Sequence, residues 1–381
     1  MDVSVIIVNY NVRFFLEQCI RSVLAASKKM NVEIIVVDNN SHDTSVGAVY
    51  DKFPQVHLIR NSKNLGFSKA VNQGVKKAKG TYILMLNPDT VIAEDTLEMV
   101  FNFAENKKNL GVVGVKLLDG SGNFSEESKR NIPSRTSALG KFLGIPLSKK
   151  QSYYNISLNK DEAGESQILS GAFMFVKRAV FYEVNGLDED YFMYGEDIDL
   201  CYKILKKGYT NFYFPKTSII HYKGESTLKN KIYVGYFYNS IGLFYKKHFK
   251  FSFFSNAIVQ LGIFLFKWLH YIKIKMYQKK KSSTIFIKSN NLEANIYKEK
   301  EAQLFYVSKN LEGNFKEIVD LAKAKNKDTL VFDNAIFSNK SIIKHFEKMS
   351  QSNLEFRIHP NHTNFIIGSS NPFKNGEIFV L

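Results

Sequence analysis

Cysteine is nearly missing from this chain. The two present, Cys19 and Cys201, each sit in a stretch with helical spacing, so neither a disulfide framework nor a cysteine-based zinc site can be built. That points to a reducing, cytoplasmic compartment. The chain also opens directly on a strand pattern, without the basic segment and small-residue cleavage site of a secretory signal, so export is not expected. A third absence is a glycine-rich turn after the first apolar run. Val3 to Val8 leads into Asn9-Tyr10-Asn11-Val12-Arg13, which contains no glycine. The Gly-x-Gly-x-x-Gly turn of a dinucleotide-binding sheet is therefore excluded at this position. So is the glycine-rich loop with which a nucleotidyltransferase grips a triphosphate. Finally, no Asp or Glu occurs between Glu225 and Glu293, although lysines recur throughout, and the whole chain carries a formal charge of +16 over 381 residues. A block of one sign calls for an anionic partner, an acidic membrane face or nucleic acid.

What is present is organised around Tyr82-Ile83-Leu84-Met85-Leu86-Asn87-Pro88-Asp89-Thr90. The uninterrupted apolar run reads as a buried strand, Gly80 breaks what precedes it, and Pro88 stops the sheet ladder. Asp89 is thereby left just past the carboxyl end of a buried strand. In open α/β sheets that edge binds ligands, and a carboxylate there can hold a divalent cation against a diphosphate. Around it the pattern alternates. Glu33 to Val37 is a second strand, ending at Asp38-Asn39-Asn40-Ser41, with Ser41, Thr44 or Ser45 as the cap of a short helix. Val56 to Arg60 is a third strand, and Asn64-Leu65-Gly66-Phe67-Ser68 opens a helix running to Lys79. Strands and helices joined by short links give a doubly wound, mostly parallel sheet. Parallel strands would bring Asn9, Asp38 and Asp89 to one crevice. Asp38 is placed there to accept from a ribose hydroxyl or a base N–H, and the helix opening at Gly66 to offer amides to phosphate.

Further along, Asn109 to Leu118 reads as a strand, Ser134 to Leu158 as a long irregular loop over the site, and Leu169 to Val176 as a strand. Gly171 and Ala172 in that last strand allow close approach to its backbone. The densest polar cluster follows, Asp188-Glu189-Asp190-Tyr191-Phe192-Met193-Tyr194-Gly195-Glu196-Asp197-Ile198-Asp199. Acids at Glu196, Asp197 and Asp199 suit a helix N-terminus, but six acids exceed what capping needs. The rings of Tyr191, Phe192 and Tyr194 would wall a carboxylate and raise its proton affinity, as a general base requires. Asn211 to Pro215 is a last strand, and His221 ends a following apolar run, where it can complete a metal site begun by Asp89.

Taken in order and spacing, these motifs resemble the family 2 glycosyltransferases of the GT-A fold, especially bacterial rhamnosyltransferase-like members, over Met1 to about Phe249. They are Val8-Asn9-Tyr10-Asn11, Val36-Val37-Asp38-Asn39-Asn40-Ser41, Asn64-Leu65-Gly66-Phe67 with Asn72-Gln73-Gly74, and Asn87-Pro88-Asp89. Leu169-Ser170-Gly171-Ala172, Gly195-Glu196-Asp197-Ile198-Asp199-Leu200, and His221 with Gly224 and Ser226 complete the set. The resemblance implies an inverting transfer of a sugar from a nucleotide diphospho-sugar. It places Asn9, Tyr10, Asp38, Asn64, Gly66, Asn72, Asn87, Asp89 and Gly171 on the donor side, and Tyr194 and Asp199 on the acceptor side. Asp197, with Glu196 beside it, matches the catalytic base. Asp89, the single carboxylate of the Asn-Pro-Asp variant, and His221 match ligands of Mg²⁺ or Mn²⁺.

The resemblance stops before the last third. Phe251 to Ile272 is aromatic and apolar but broken by Asn256, Gln260, Lys267 and His270 and flanked by lysines, the pattern of a helix lying on an anionic membrane surface. No recognisable RNA-binding motif accompanies it, so nucleic acid is set aside. Ser283 to Leu381 restarts a strand–helix alternation, with strands at Thr284–Ile287, Gln303–Val307, Thr329–Phe332, Glu355–Ile358, Asn364–Ile367 and Glu377–Val380, helices at Lys316–Ala324 and Lys340–Met349, and no catalytic set. The expected organisation is therefore a GT-A domain over 1–249, a basic membrane-associating linker over 250–282 and a small Rossmann-like α/β domain over 283–381. The expected activity is transfer to a growing, lipid-linked cell-surface glycan at the inner face of the cell membrane. The rivals are a non-catalytic nucleotide-sugar sensor and, behind it, a nucleotidyltransferase. The oligomeric state is left open.

Overall fold

The computed structural model describes residues 1–133, 152–224, 231–249, 304–325, 328–370 and 376–381. The segment Phe251–Ile272, the strand expected at Thr284–Ile287 and most of the loop expected at Ser134–Leu158 lie outside the described residues.

Strands β1 (Val3–Asn9), β2 (Val32–Asp38), β3 (His57–Arg60) and β4 (Tyr82–Leu86) pair in parallel, in the order β3-β2-β1-β4. Their Val, Ile and Leu side chains face helices on both sides, which is why these strands read as continuous apolar runs rather than alternating ones. Helices α1 (Arg13–Ala26), α2 (Ser45–Lys52) and α3 (Phe67–Lys77) make the crossovers. None of the three expected caps serves α2. Asp43 accepts from the amide of Ser45 at 3.2 Å, while the Ser41 hydroxyl is drawn back to the first strand's turn.

Beyond β4 the sheet stops being parallel. After β5 (Thr90–Val91), α4 (Thr96–Glu105) and β6 (Leu110–Leu118), a short strand β7 (Lys129–Arg130) precedes β8 (Gly164–Glu165) and β9 (Ile168–Leu169). Strand β10 (Phe173–Lys177) then enters between β4 and β6, antiparallel to both. The expected strand over Leu169–Val176 is thus two strands, β9 and β10, separated by a turn at Ser170–Ala172. Helices α5 (Arg178–Glu183) and α6 (Glu196–Lys206) follow. Strand β11 (Thr210–His221) is longer than the expected Asn211–Pro215, because the ladder does not end at the proline. Pro215 has no N–H to give, so β11 slips register against β6 between Phe214 and Ser218 and then resumes pairing. The sheet is therefore mixed rather than mostly parallel, in the order β3-β2-β1-β4-β10-β6-β11-β5.

Helix α7 (Lys231–His248) packs on α6. The final unit comprises β12 (Leu304–Tyr306), α8 (Phe315–Ala324), β13 (Thr329–Asp333), α9 (Asn339–Met349), β14 (Glu355–His359), β15 (Phe365–Gly368) and β16 (Glu377–Val380). Its five strands run in sequence order, the first three parallel and the last two antiparallel. The mixed sheet is that of the GT-A fold the resemblance implied, and the small α/β domain after it is the one the strand–helix alternation led us to expect.

The second sheet is not a loose appendage. One apolar cluster contains Val12, Phe15, Val91, Leu118, Ile220 and Tyr222 from the first unit together with Phe332, Phe346 and Phe365 from the second. Phe14 meets Phe365 edge-on at 4.9 Å, and both Glu94 oxygens accept from the amides of Asn339 and Lys340 at the start of α9. The approach is close at Gly120, where an added Cβ would lie 1.6 Å from the Ser369 carbonyl oxygen, and at Gly122, whose φ of +79° suits glycine and where an added Cβ would lie 1.9 Å from the Phe346 carbonyl oxygen.

Candidate active site

The carboxyl ends of β1, β2 and β3 form one wall. Asn9 and Asp38 are register partners, so the amide of Asn9 donates to Asp38 Oδ1 at 2.7 Å and to Ser41 Oγ at 2.9 Å. The Ser41 amide donates to Asp38 Oδ2 at 2.9 Å. One step along the edge, Asn61 donates to Asn39, and Asn39 donates to the carbonyl of Gly66 at 3.1 Å. Each Asp38 oxygen keeps acceptor capacity beyond these bonds. Tyr10 is half-buried at the rim.

The Asn64–Phe67 turn is tied down within the protein. Asn64 Oδ1 takes the Gly66 amide at 2.9 Å, and the Phe67 amide donates to the carbonyl of Phe192 at 2.7 Å. Gly66, at φ +86°, is needed for proximity, because an added Cβ would sit 2.7 Å from Phe192. Asn72 clamps the same junction, donating to the Leu187 carbonyl at 2.9 Å and accepting the Leu187 amide at 3.1 Å.

The second wall is the Asn-Pro-Asp turn. Beyond it, β5 pairs antiparallel with β11, setting Thr90 opposite His221. That pairing brings His221 Nε2 to 3.4 Å from Asp89 Oδ1 and 3.3 Å from Asn87 Nδ2. Both Asp89 and His221 are buried, and the Tyr222 amide donates to the Asp89 carbonyl at 3.0 Å. Asp89 Oδ1 and the Nε2 lone pair form a two-donor set for a hard or borderline cation. Among the described residues no group of three or more His, Cys, Asp or Glu side chains is placed to hold a metal. The set fits Mg²⁺ or Mn²⁺ with substrate phosphates and water supplying the remaining ligands. The nearby Cys19 thiol, pushed up to about 12 by burial, stays neutral beneath this turn.

The third wall resolves the acidic cluster, and four of its six acids turn out to be structural. Asp188 and Asp190 both hold Lys247 of α7 at 2.5 Å. Glu189 accepts from Asn72 at 3.1 Å. Asp199 is wholly buried, held by His248 at 2.5 Å and Lys203 at 3.2 Å, so its carboxylate ties α6 to α7 and does not face an acceptor. Tyr194 sits beside Gly195 in a left-handed turn, its ring 6.3 Å from Phe237 of α7. Glu196 and Asp197 remain, in the first turn of α6.

Asp197 is met by hydrogen-bond donors, while the expected rise in proton affinity falls on Glu196. Asp197 Oδ2 accepts from Arg130 Nη2 at 2.5 Å and from the Gly171 amide at 3.1 Å. Glu196 is 8% exposed, and its Oε2 has no hydrogen-bond partner among the described residues. Burial, then the charge on Asp197, pushes the Glu196 carboxyl up to about 8. Sequence reasoning missed Arg130. Its only signal was a basic pair after Glu126-Glu127, and what carries it to Asp197 is the antiparallel pairing of β7 with β9, Arg130 opposite Ile168.

Walls two and three are joined by backbone. The Asn87 amide donates to the Ala172 carbonyl at 3.1 Å, and the adjoining Gly171 amide donates to Asp197. Two hydrogen bonds thus separate the Asp89–His221 pair from the Glu196–Asp197 pair. A groove of about 540 Å³ between the two units, lined by Arg21, Phe53, Asn334 and His362 among others, contains none of these side chains.

The chain is similar to known glycosyltransferases. Residues 4–184 match the model of the family described as glycosyl transferase family 2. The N-acetylglucosaminyl-diphospho-decaprenol L-rhamnosyltransferase of Mycobacterium tuberculosis is 27% identical over 239 residues, covering 58% of this chain and 76% of that protein. The rhamnosyltransferase WbbL of Escherichia coli is 32% identical over 155 residues, 40% of this chain and 56% of its own length. Among solved structures, the mannosyltransferase PcManGT of Pyrobaculum calidifontis, in complex with GDP-Man and Mn²⁺, is 15% identical with a TM-score of 0.47, covering 77% of this chain and 78% of that one.

Proposed function

Because the chain carries a glycosyl transferase family 2 domain and is a glycosyltransferase, we propose that it transfers a sugar, with inversion, from a nucleotide diphospho-sugar to a hydroxyl of a lipid-linked glycan. The observation that carries this reading is the meeting of the Asp89–His221 and Glu196–Asp197 pairs across Gly171 and Ala172. Asp89 with His221 lies on one side and Glu196 with Asp197 on the other, on the sheet edge where Asn9 and Asp38 also end.

The donor's nucleoside is assigned to the Asp38 wall, where carboxylate oxygens keep acceptor capacity for a ribose hydroxyl or base N–H. Asp89 and His221 would hold a divalent cation, Mg²⁺ or Mn²⁺, whose charge offsets that of the leaving diphosphate. Asp197 takes the proton of the acceptor hydroxyl as its oxygen bonds to the anomeric carbon, and the bond from that carbon to the diphosphate oxygen breaks. One displacement on the face opposite the leaving group inverts the centre. The printed name of the mycobacterial relative supports a polyprenyl-diphosphate-linked acceptor and hence work at a membrane face. Among the described residues no helix is long and apolar enough to cross a membrane. The basic segment expected to lie on the surface falls outside them.

The test is nucleotide diphosphate release from a panel of UDP-, GDP- and dTDP-sugars with membrane glycolipid as acceptor, with and without Mn²⁺ or Mg²⁺. Asp197→Asn should lower turnover about 10²–10⁴-fold while donor binding persists. Undiminished turnover in that variant would remove Asp197 from the reaction. Flotation with anionic liposomes tests the membrane assignment, and a protein that stays at the bottom of the gradient refutes it.

A further inference from the structure

We propose that Arg130 is a positioning residue for Asp197, fixing that carboxylate in space and keeping the negative charge on it rather than on its neighbour Glu196. This rests on the reading of Asp197 as the base.

The geometry is a clamp built from three elements. Arg130 is buried on β7, and its Nη2 donates both to Asp197 Oδ2 at 2.5 Å and to the Leu169 carbonyl at 2.8 Å. Its Nη1 donates to Tyr153 Oη at 3.0 Å, which sets the plane of the guanidinium. The Gly171 amide adds its bond to the same Asp197 oxygen, and Oδ1 takes the amide of Ile198 at 2.8 Å. A carboxylate gripped at both oxygens from a strand, a turn and its own helix has almost no torsional freedom, which is what a base acting on one hydroxyl needs.

The charge argument follows from the packing. Two adjacent carboxyls in a nearly dry site do not both ionise readily, and the position of the one positive charge decides which does. Among the described residues no cation pairs with Glu196, one of whose oxygens is buried and unpartnered, and burial pushes its carboxyl up to about 8. The other groups that face the pair are already spoken for. Asp199 is held by His248 and Lys203, and Glu127, which precedes Arg130, pairs with Lys223 at 2.9 Å. The Cys201 thiol, raised to about 12 by burial, is neutral, and Tyr153 binds Arg130 itself. Among the described residues, Arg130 is the cation in contact with Asp197.

The experiment is the pH profile of kcat/KM from about pH 5 to 9 for wild type, Arg130→Met and Arg130→Lys, beside Asp197→Asn. Arg130→Met should lose about 10²-fold near neutrality, with its acid limb moved to higher pH because the base now keeps its proton longer. Arg130→Lys, which restores charge without the fork, should return the limb to its wild-type place while recovering only part of kcat. If Arg130→Met does not fold, Arg130→Gln takes its place, hydrogen-bonding without charge. An acid limb that coincides with the wild type's in the uncharged variant overturns the proposal. So does a lysine variant whose limb stays with that of the uncharged one. Either result with Asp197→Asn inactive sinks only the role of Arg130, whereas an active Asp197→Asn sinks the underlying reading.

Discussion

Among the described residues two arginines are buried with carboxylates for company, and they do different things. Arg357, on β14 of the second sheet, bonds Glu355 at 2.5 Å and Glu377 at 2.7 Å. Those two acids are 49% and 41% exposed, so water can take over their charge. Arg130 bonds Asp197, 14% exposed, beside the buried Glu196, whose outer oxygen has nothing to bond among the described residues. Burial of an arginine is therefore not the mark of a site. The mark is a partner acid that water cannot easily satisfy and that lies where strands end. Glu196 also contrasts with the buried His345 of the second unit, which is matched on both ring nitrogens, by the Gly313 amide at 3.2 Å and the Ser341 carbonyl at 2.7 Å.

The sharpest way to break this contrast is at the first sheet's edge. Asp89→Ala should reduce kcat/KM about 10³-fold, or ~4 kcal/mol, and abolish the response to added Mn²⁺. A variant that keeps its metal dependence would show that His221 has another partner. Next in size is the join between the sheets. Gly122→Ala combines a left-handed φ with a collision at the Phe346 carbonyl and should cost about 2–4 kcal/mol, read as a drop in the melting midpoint. Because Tyr222 belongs to the shared apolar cluster and bonds the Asp89 backbone, loosening that join should also raise the metal concentration needed for half-maximal rate.

Arg357→Met should then cost about 1–3 kcal/mol of stability and leave the shape of the pH–rate profile unchanged, in contrast to Arg130→Met. A moved acid limb in Arg357→Met would collapse the distinction between the two arginines. A smaller effect concerns His345, whose burial lowers its proton affinity below the ordinary 6.5. The folded state keeps the ring neutral while the unfolded chain takes up a proton. Stability is thus intact above about pH 6.5 and lost as pH falls from there through the depressed folded value. Thermal melts between about pH 8 and 5 should show that slope, and His345→Gln should flatten it. Least of all, Asp190→Asn should change stability by less than about 1 kcal/mol, since that acid is 69% exposed and Asp188 still holds Lys247.

Local pattern made much of the second sheet legible. Strands expected at Gln303–Val307, Thr329–Phe332, Glu355–Ile358, Asn364–Ile367 and Glu377–Val380 appear within a residue or so of those bounds, as do both helices. Apolar periodicity is a local quantity, and each of these elements buries one face against its neighbours. The first four strands were legible for the same reason. The antiparallel entry of β10 was not legible because direction within a sheet leaves no mark in a run such as Phe173-Met174-Phe175-Val176. The acidic cluster was read as one functional block because spacing along the chain does not tell which acids meet Lys247 and His248 on a helix that begins more than thirty residues later.

The sequence by itself determined that an alternating α/β chain ends its parallel strands in Asn9, Asp38 and Asp89, since strand-ending polar residues and apolar runs are set by neighbours in the chain. Tertiary structure decided the rest of the site. It brought the expected His221 to Asp89 through the β5–β11 pairing, chose Arg130 for Asp197 through β7–β9, and assigned Asp188, Asp190 and Asp199 to packing. These choices are contacts between residues far apart in sequence, and their energies depend on who else is buried nearby, a property that exists only once the chain has closed on itself.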